Sequence, residues 1–314
     1  MSEQPTYNAA GDDDEIDLRD LFLTLWHGKW LIISITLVFA VGGVVYALMQ
    51  PNMYRAEAMV APATEEQGPK ISGQLGSLAS MAGVNIGEGG GSKTVIAKQI
   101  LQSRAFLSDF IRRHELAVPL MATEGWNTET REWIINREVY NPETGEWQQD
   151  EEGESLEPTD WDLVKRFSGM LSVSDSSDTG MITVSIQSLS PVAAQQWVDQ
   201  LIADINEHMR QKDVEEAQSR INYLRNQVDE TSITGMQQVF YQLIESETRT
   251  VMLANAQNEY VFQTIDPAVV PQEKSGPQRA LICILATMLG GMLSVFAVFV
   301  RSFIRNLREA PAPA

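Results

Sequence analysis

Two uncharged apolar stretches, residues 30–49 (WLIISITLVFAVGGVVYALM) and 280–300 (ALICILATMLGGMLSVFAVFV), lie near the two ends of this chain and constrain it most. Each holds about 20 residues, and a helix rising about 1.5 Å per residue carries that length across a hydrocarbon core about 30 Å thick. In lipid a backbone must satisfy its own hydrogen bonds, so each stretch is predicted to be one transmembrane helix. Residues 50–279 then lie on one side of the membrane and both tails on the other.

The basic residues indicate which side is which. Arg19, Lys29, Arg301, Arg305 and Arg308 flank the tail-side ends, whereas Arg55, Lys274 and Arg279 flank the other ends. This excess favours cytoplasmic tails and an exported middle. A signal peptide would need a basic leading region, but Asp12, Asp13, Asp14, Glu15, Asp17 and Asp20 crowd the first twenty residues. The formal net charge of −19 argues against nucleic acid as a partner and disfavours adsorption of the exported part to anionic lipid. The single cysteine, Cys283, lies inside the second stretch, so the chain has no intrachain disulfide.

Along the middle, YRAEAMVAP (54–62) reads as a strand, and the Gly- and Ser-rich residues 67–92 as a loop with a short apolar turn. Residues 93–114 place Ile96, Ile100, Leu107 and Ile111 on one face of a predicted helix. Residues 119–160 hold twelve acidic residues and only Arg131 and Arg137 as basic ones, with Trp126, Trp133 and Trp147 interleaved. A short strand around 132–140 and a turn at Asn141-Pro142-Glu143-Thr144-Gly145 fit this pattern. GMLSVS (169–174) and MITVSIQ (181–187) read as paired strands around a polar turn.

Ser190-Pro191 opens a long helix, Ser190 as N-cap and Pro191 in the first turn. Its apolar seam runs through Ala194, Val198, Leu201, Ile205 and Met209, breaks at 210–213, and resumes at Ala217, Ile221, Leu224 and Val228. Thr234-Gly235 interrupts it before a second helix with Met236, Phe240, Leu243 and Val251 on one stripe; YVFQTI (260–265) returns as a strand. Long helices are expected over about 191–254. A narrow helical projection does not bury such a seam alone. Leu201, Ile205, Ile221 and Leu224 are therefore candidate contacts between copies of the chain.

No fragment carries convincing catalytic chemistry. Residues 87–94 (GEGGGSKT) resemble a phosphate-binding loop, but Ser92 stands where a glycine belongs before Lys93 and no apolar strand precedes it. Asp178-Thr179-Gly180 matches the aspartic-protease tripeptide, whose chemistry needs a second carboxylate sharing its proton; a hairpin turn explains it better. The acidic run at 150–154 reads as a solvated loop. His27, His114 and His208 lack metal-ligand spacing. No catalytic residue, cofactor or metal is assigned. Pro267, Pro271 and Pro277 instead make a stiff, non-helical strut before the second span. Gly42-Gly43 and Gly290-Gly291 fall at similar depths in the two spans, where small residues let helices approach closely.

The order of these pieces carries a resemblance. EIDLRDLFLTLWHGKW leads into the first span and YRAEAMVAP follows it. LASMAG sits in the Gly-rich loop, and ILQSRAFLSDFI, LSVSDSSDTGMITVSIQSLSPVAAQQWVDQLIADIN and VMLANAQNEYVFQTIDPAVVPQEKSGP follow in turn, with Gly290 and Gly291 in the last span. Together they resemble the Wzz-type polysaccharide chain-length determinants, or polysaccharide co-polymerases, along almost the whole chain. Nothing is carried over onto residues 119–160. The resemblance implies a non-enzymatic regulator in the inner membrane of a Gram-negative bacterium, setting the modal length of O-antigen or a related glycan made by a Wzy-type polymerase on a lipid-linked polysaccharide. It also implies a homo-oligomeric ring of about eight subunits. A related branch serves capsule export and carries a cytoplasmic tyrosine kinase; a split form with the kinase on a separate chain is the alternative. The short stretch after the second span favours the O-antigen branch.

The expected architecture is α+β: two transmembrane helices flank a periplasmic domain with a membrane-proximal sheet and long projecting helices. Its parts are a cytoplasmic tail (1–29), a span (30–49), the periplasmic domain (50–279) containing the Pro-rich segment (267–277), a second span (280–300) and a cytoplasmic tail (301–314).

Overall fold

The computed structural model describes residue 26 and residues 28–63, 89–176 and 178–309. Most of the Gly-rich loop read at 67–92, including LASMAG, lies outside them. The chain divides into two compact units, one formed by the terminal segments and one by Pro51–Gly276. In chain order the elements are α1 (Lys29–Met49), β1 (Tyr54–Pro62), α2 (Gly89–Leu101), α3 (Arg104–Arg113), α4 (Ala117–Met121), β2 (Thr123–Asn127), β3 (Glu132–Ile135), β4 (Tyr140–Asn141), β5 (Glu146–Trp147), α5 (Asp160–Met170), β6 (Leu171–Asp175), β7 (Ile182–Ser188), α6 (Pro191–Glu230), α7 (Thr234–Ala256), β8 (Phe262–Asp266) and α8 (Arg279–Glu309).

The central unit is built on an antiparallel sheet in the order β6-β7-β1-β8. β1 alternates as its sequence predicts: Ala56, Ala58 and Val60 are buried, whereas Arg55, Glu57 and Met59 face outward. A register shift between Met59 and Val60 bends β1 where β8 joins it. Helix α6 packs on this sheet. Its first half contributes Ala194, Trp197, Val198, Leu201, Ile205 and Met209 to one core with Val184, Ile186, Phe110, Phe167 and Phe262. Fully burying each large apolar side chain there contributes about 1.5–3 kcal/mol.

Several sequence expectations change. Residues 89–92 belong to α2 and not to the loop. The single helix read at 93–114 is two, because Ser103 adopts extended backbone and its hydroxyl accepts from the Phe106 N–H, starting α3 afresh. The break rotates the buried face. Ala97, Leu101, Phe106, Leu107, Phe110 and Ile111 are buried, while Ile96 is exposed. Helix α5 escapes the periodicity reading, although Thr159 and Asp162 form a capping box at its start and Leu163, Val164 and Phe167 face the core.

The seam break at 210–213 does not interrupt α6, which runs unbroken for 40 residues, about 60 Å. Its second half pairs with α7 in an antiparallel hairpin, marked by the Arg220–Glu247 contact at 3.3 Å and by Gln237 donating to the Thr231 carbonyl. Ala217, Ile221 and Val228 are buried there with Ala254. The face of α7 turned inward runs through Gln237, Phe240, Ile244, Glu247, Val251 and Ala254, so Met236 and Leu243 from the predicted stripe are exposed.

In the terminal unit, α1 and α8 are both long and apolar enough to cross a membrane. They run antiparallel, and α8 continues past residue 300 to Glu309.

Candidate functional site

The two apolar helices meet through small residues. A Cβ added at Gly43 would lie 2.5 Å from the Ala286 Cβ, and one at Gly290 would lie 2.5 Å from the Phe39 Cβ. Gly42 and Gly291 have open space around the same position. Each glycine pair thus divides into one member at the contact and one outside it. Gly28, not singled out from the sequence, makes a third close approach: a Cβ added there would lie 2.6 Å from the Val298 side chain. The hydroxyls of Thr36 and the fully buried Ser294 lie 3.5 Å apart across the pair. Arg279 closes the arrangement at the other end. Its guanidinium donates to the Ala47 carbonyl at 3.1 Å and reaches the Gln50 carbonyl at 3.5 Å. These carbonyls end α1, where backbone acceptors lack helical donors and carry the negative end of the helix dipole.

The proline segment leaves β8 as irregular chain. Pro267 is exposed and Pro271 and Pro277 are half-buried, while Ala268 between them is buried in the main core. The segment then returns to the start of β1: Met53 pairs with Gly276, and the Ser275 N–H donates to the Met53 carbonyl at 2.8 Å. The two ends of the central unit are therefore bonded side by side. Asp199 on α6 faces this strap. Burial raises its carboxyl above the ordinary value, partly offset by the Ala268 N–H and the Gln195 side chain.

The candidate interface residues are consumed within the chain. Leu201 and Ile205 are completely buried in the core against their own sheet, and Ile221 is buried against α7. Leu224 is half-buried. The expectation that this seam waits for a second copy is corrected: the chain's own sheet and its own return helix cover it.

Polar contacts fix the hairpin's base, and the sequence reading found none of them. Asn206 on α6 is buried; its amide oxygen accepts from the Val261 and Phe262 N–H groups, both at 2.8 Å, and its amide nitrogen donates to the Phe262 carbonyl at 2.9 Å. A lone asparagine in an apolar seam was the available signal. Asp204 receives Arg113 and meets His114 at 3.0 Å. Arg210 spans Glu207 and Asn255, joining both helices of the hairpin. The Lys93 ammonium lies 3.1 Å from Asp213, which also accepts the Tyr260 hydroxyl at 2.6 Å. Lys93 thus holds α2 to the hairpin base. Asp178-Thr179-Gly180 forms the turn between β6 and β7, where Gly180 takes a positive φ of 66° and its N–H donates to the Ser176 carbonyl. Among the described residues, no three His, Cys, Asp or Glu side chains gather to hold a metal ion.

Comparison with known proteins gives these features a context. Residues 14–114 match the Wzz family, described as "Chain length determinant protein". Residues 230–303 match the GNVR family, described as "G-rich domain on putative tyrosine kinase". A "Chain length determinant protein" of Salmonella typhimurium is 21% identical over 330 residues, covering 95% of each chain. Among solved structures, a "full-length bacterial polysaccharide co-polymerase" is 15% identical with a TM-score of 0.39, covering 94% of this chain and 100% of that one. A fragment of WzzB, the polysaccharide co-polymerase from Salmonella Typhimurium, is 10% identical with a TM-score of 0.32, covering 72% of this chain and 100% of the fragment.

Proposed function

We propose that the chain is a polysaccharide chain length determinant, as its match to the Wzz family over residues 14–114 and to a chain length determinant protein over 95% of its length supports, and that it sets the modal length of O-antigen on lipopolysaccharide, or of a related surface glycan, made by a Wzy-type polymerase. In this reading α1 and α8 anchor it in a bacterial inner membrane with both termini cytoplasmic. Residues 51–276 form the periplasmic domain. The α6–α7 hairpin reaches toward the growing lipid-linked polysaccharide, and several copies close a ring. The protein makes and breaks no glycosidic bond; length follows from shape and contact.

The similarity to the Salmonella chain length determinant across 95% of both chains is the observation that carries this reading. The match of residues 230–303 to a domain described from a tyrosine kinase supports a second one. There the chain is the membrane adaptor of a capsule or exopolysaccharide export system and works with a separate cytoplasmic kinase. Deleting the gene and separating lipopolysaccharide and capsule by gel tests both. Loss of a preferred lipopolysaccharide length supports the first reading. A change confined to capsule supports the second, and no change in either glycan contradicts both.

A further inference from the structure

The acidic, Trp-rich segment between α4 and α5 folds into two small antiparallel pairs, β2–β3 and β4–β5. The second pair stands over α3 and α5 and leaves a cleft of about 710 Å³. Ligand pockets commonly span about 300–1,000 Å³. Tyr140 and Trp147 form one wall. They face each other across the β4–β5 pair, with ring centroids 5.2 Å apart and planes at 65°, and both are half-buried. Arg112 and Asp160, paired at 2.7 Å, line it together with Glu115 and Glu157.

Glu115 is unusual. Its φ is +54°, at the end of α3, where the Leu116 N–H donates back to the Ile111 carbonyl. That helix-ending conformation favours glycine, because a Cβ is strained there. A glutamate thus stands in the cleft lining at a position where the backbone alone would select glycine.

We propose that this cleft is a saccharide-binding site for neutral hexose or N-acetylhexosamine units of a polysaccharide. A pyranose ring has an apolar face of C–H groups and a rim of hydroxyls. Aromatic faces match the first, and carboxylates and a guanidinium match the second as acceptors and donors. The charge decides between sugar classes. Arg112 is outnumbered by Glu115, Glu157 and Asp160, and residues 119–160 hold twelve acidic side chains against two basic ones. Uronic acids and phosphorylated sugars would be repelled. The saccharide chemistry comes from the cleft; only the identity of the natural glycan rests on the chain-length reading.

The test uses the full chain in a zwitterionic detergent without a sugar headgroup, probed on an array of neutral and anionic microbial oligosaccharides. Wild-type protein is expected to retain neutral glycans in preference to anionic ones. Trp147→Ala should weaken that binding about tenfold, the loss of one stacked ring, while Trp147→Phe keeps most of it. Glu115→Gly should raise the melting temperature yet lower saccharide affinity, a pair of changes that a purely structural glutamate would not give. Retention of no neutral glycan, preference for anionic ones, or unaltered binding by Trp147→Ala at normal folding would overturn the site. A chain-length phenotype on gene deletion with no saccharide binding would discard the cleft and leave the proposed function standing.

Discussion

At the scale of single residues, Asn206 is the most consequential side chain the structure reveals. Its side-chain amide bonds three backbone groups of the returning chain from within a buried environment. Asn206→Leu fills the same space but leaves two N–H groups and a carbonyl without partners, at a cost of about 2–4 kcal/mol. Thermal unfolding of the full chain in detergent should show a clear drop; an unchanged midpoint would mean that water or a rearranged β8 replaces the amide. Asp199 gives a pH signature. Its carboxyl is raised from 3.8 mainly by burial, so the folded state binds its proton more tightly than the unfolded state does. The stability it contributes is present below 3.8 and is lost as pH rises through the folded-state pKa. Asp199→Asn should therefore match wild type in acid and gain on it as pH rises, measured by unfolding at several pH values. A gap that stays constant with pH would contradict this. Glu207 runs the other way. The Arg210 side chain holds it below 4.5, so its contribution is present above that value and fades as pH falls through the folded-state pKa.

Among the elements, the pairing of α1 with α8 makes the sharpest distinction. Gly290→Leu would drive a side chain into Phe39, whereas Gly291→Leu meets open space. If close packing of the two helices matters for length control, Gly290→Leu should broaden the glycan distribution and Gly291→Leu should not, at equal protein levels on an immunoblot. Equal effects of both would point to lipid exposure and away from the contact. This difference between neighbouring glycines was not legible in the sequence, because it depends on which way each helix turns. Features set by local chemistry were legible: the alternation of β1, the Ser190-Pro191 start of α6, the β6–β7 turn and the two apolar helices. The Lys93–His114 region was misread because a capping serine, Ser103, interrupts a run whose apolar spacing looks continuous. The α6 seam was read correctly as apolar but assigned to the wrong partner, since only tertiary structure brings the sheet and α7 onto it.

For the whole molecule, the α6–α7 hairpin is the feature whose dimensions can be changed without touching the core. Contacts pair 210 with 255 and 220 with 247, so removing residues 221–227 together with 239–245 deletes matched heptads and keeps both faces in phase. The hairpin shortens by about 10 Å. A shifted or broadened glycan mode from this variant, at normal abundance, is expected if the hairpin helps set length, and a wild-type mode would exclude it. The central claim, that this chain governs glycan length without itself making or breaking glycosidic bonds, is tested most directly by reconstitution. Purified Wzy-type polymerase and lipid-linked oligosaccharide would be incubated with and without this protein, and the product lengths compared on a gel. The account predicts that the polymerase alone gives a broad ladder, that adding this chain gathers it around one length, and that this chain without polymerase leaves the substrate unchanged. Extension or cleavage of the glycan by this chain alone, or an unaltered ladder in its presence, would contradict it.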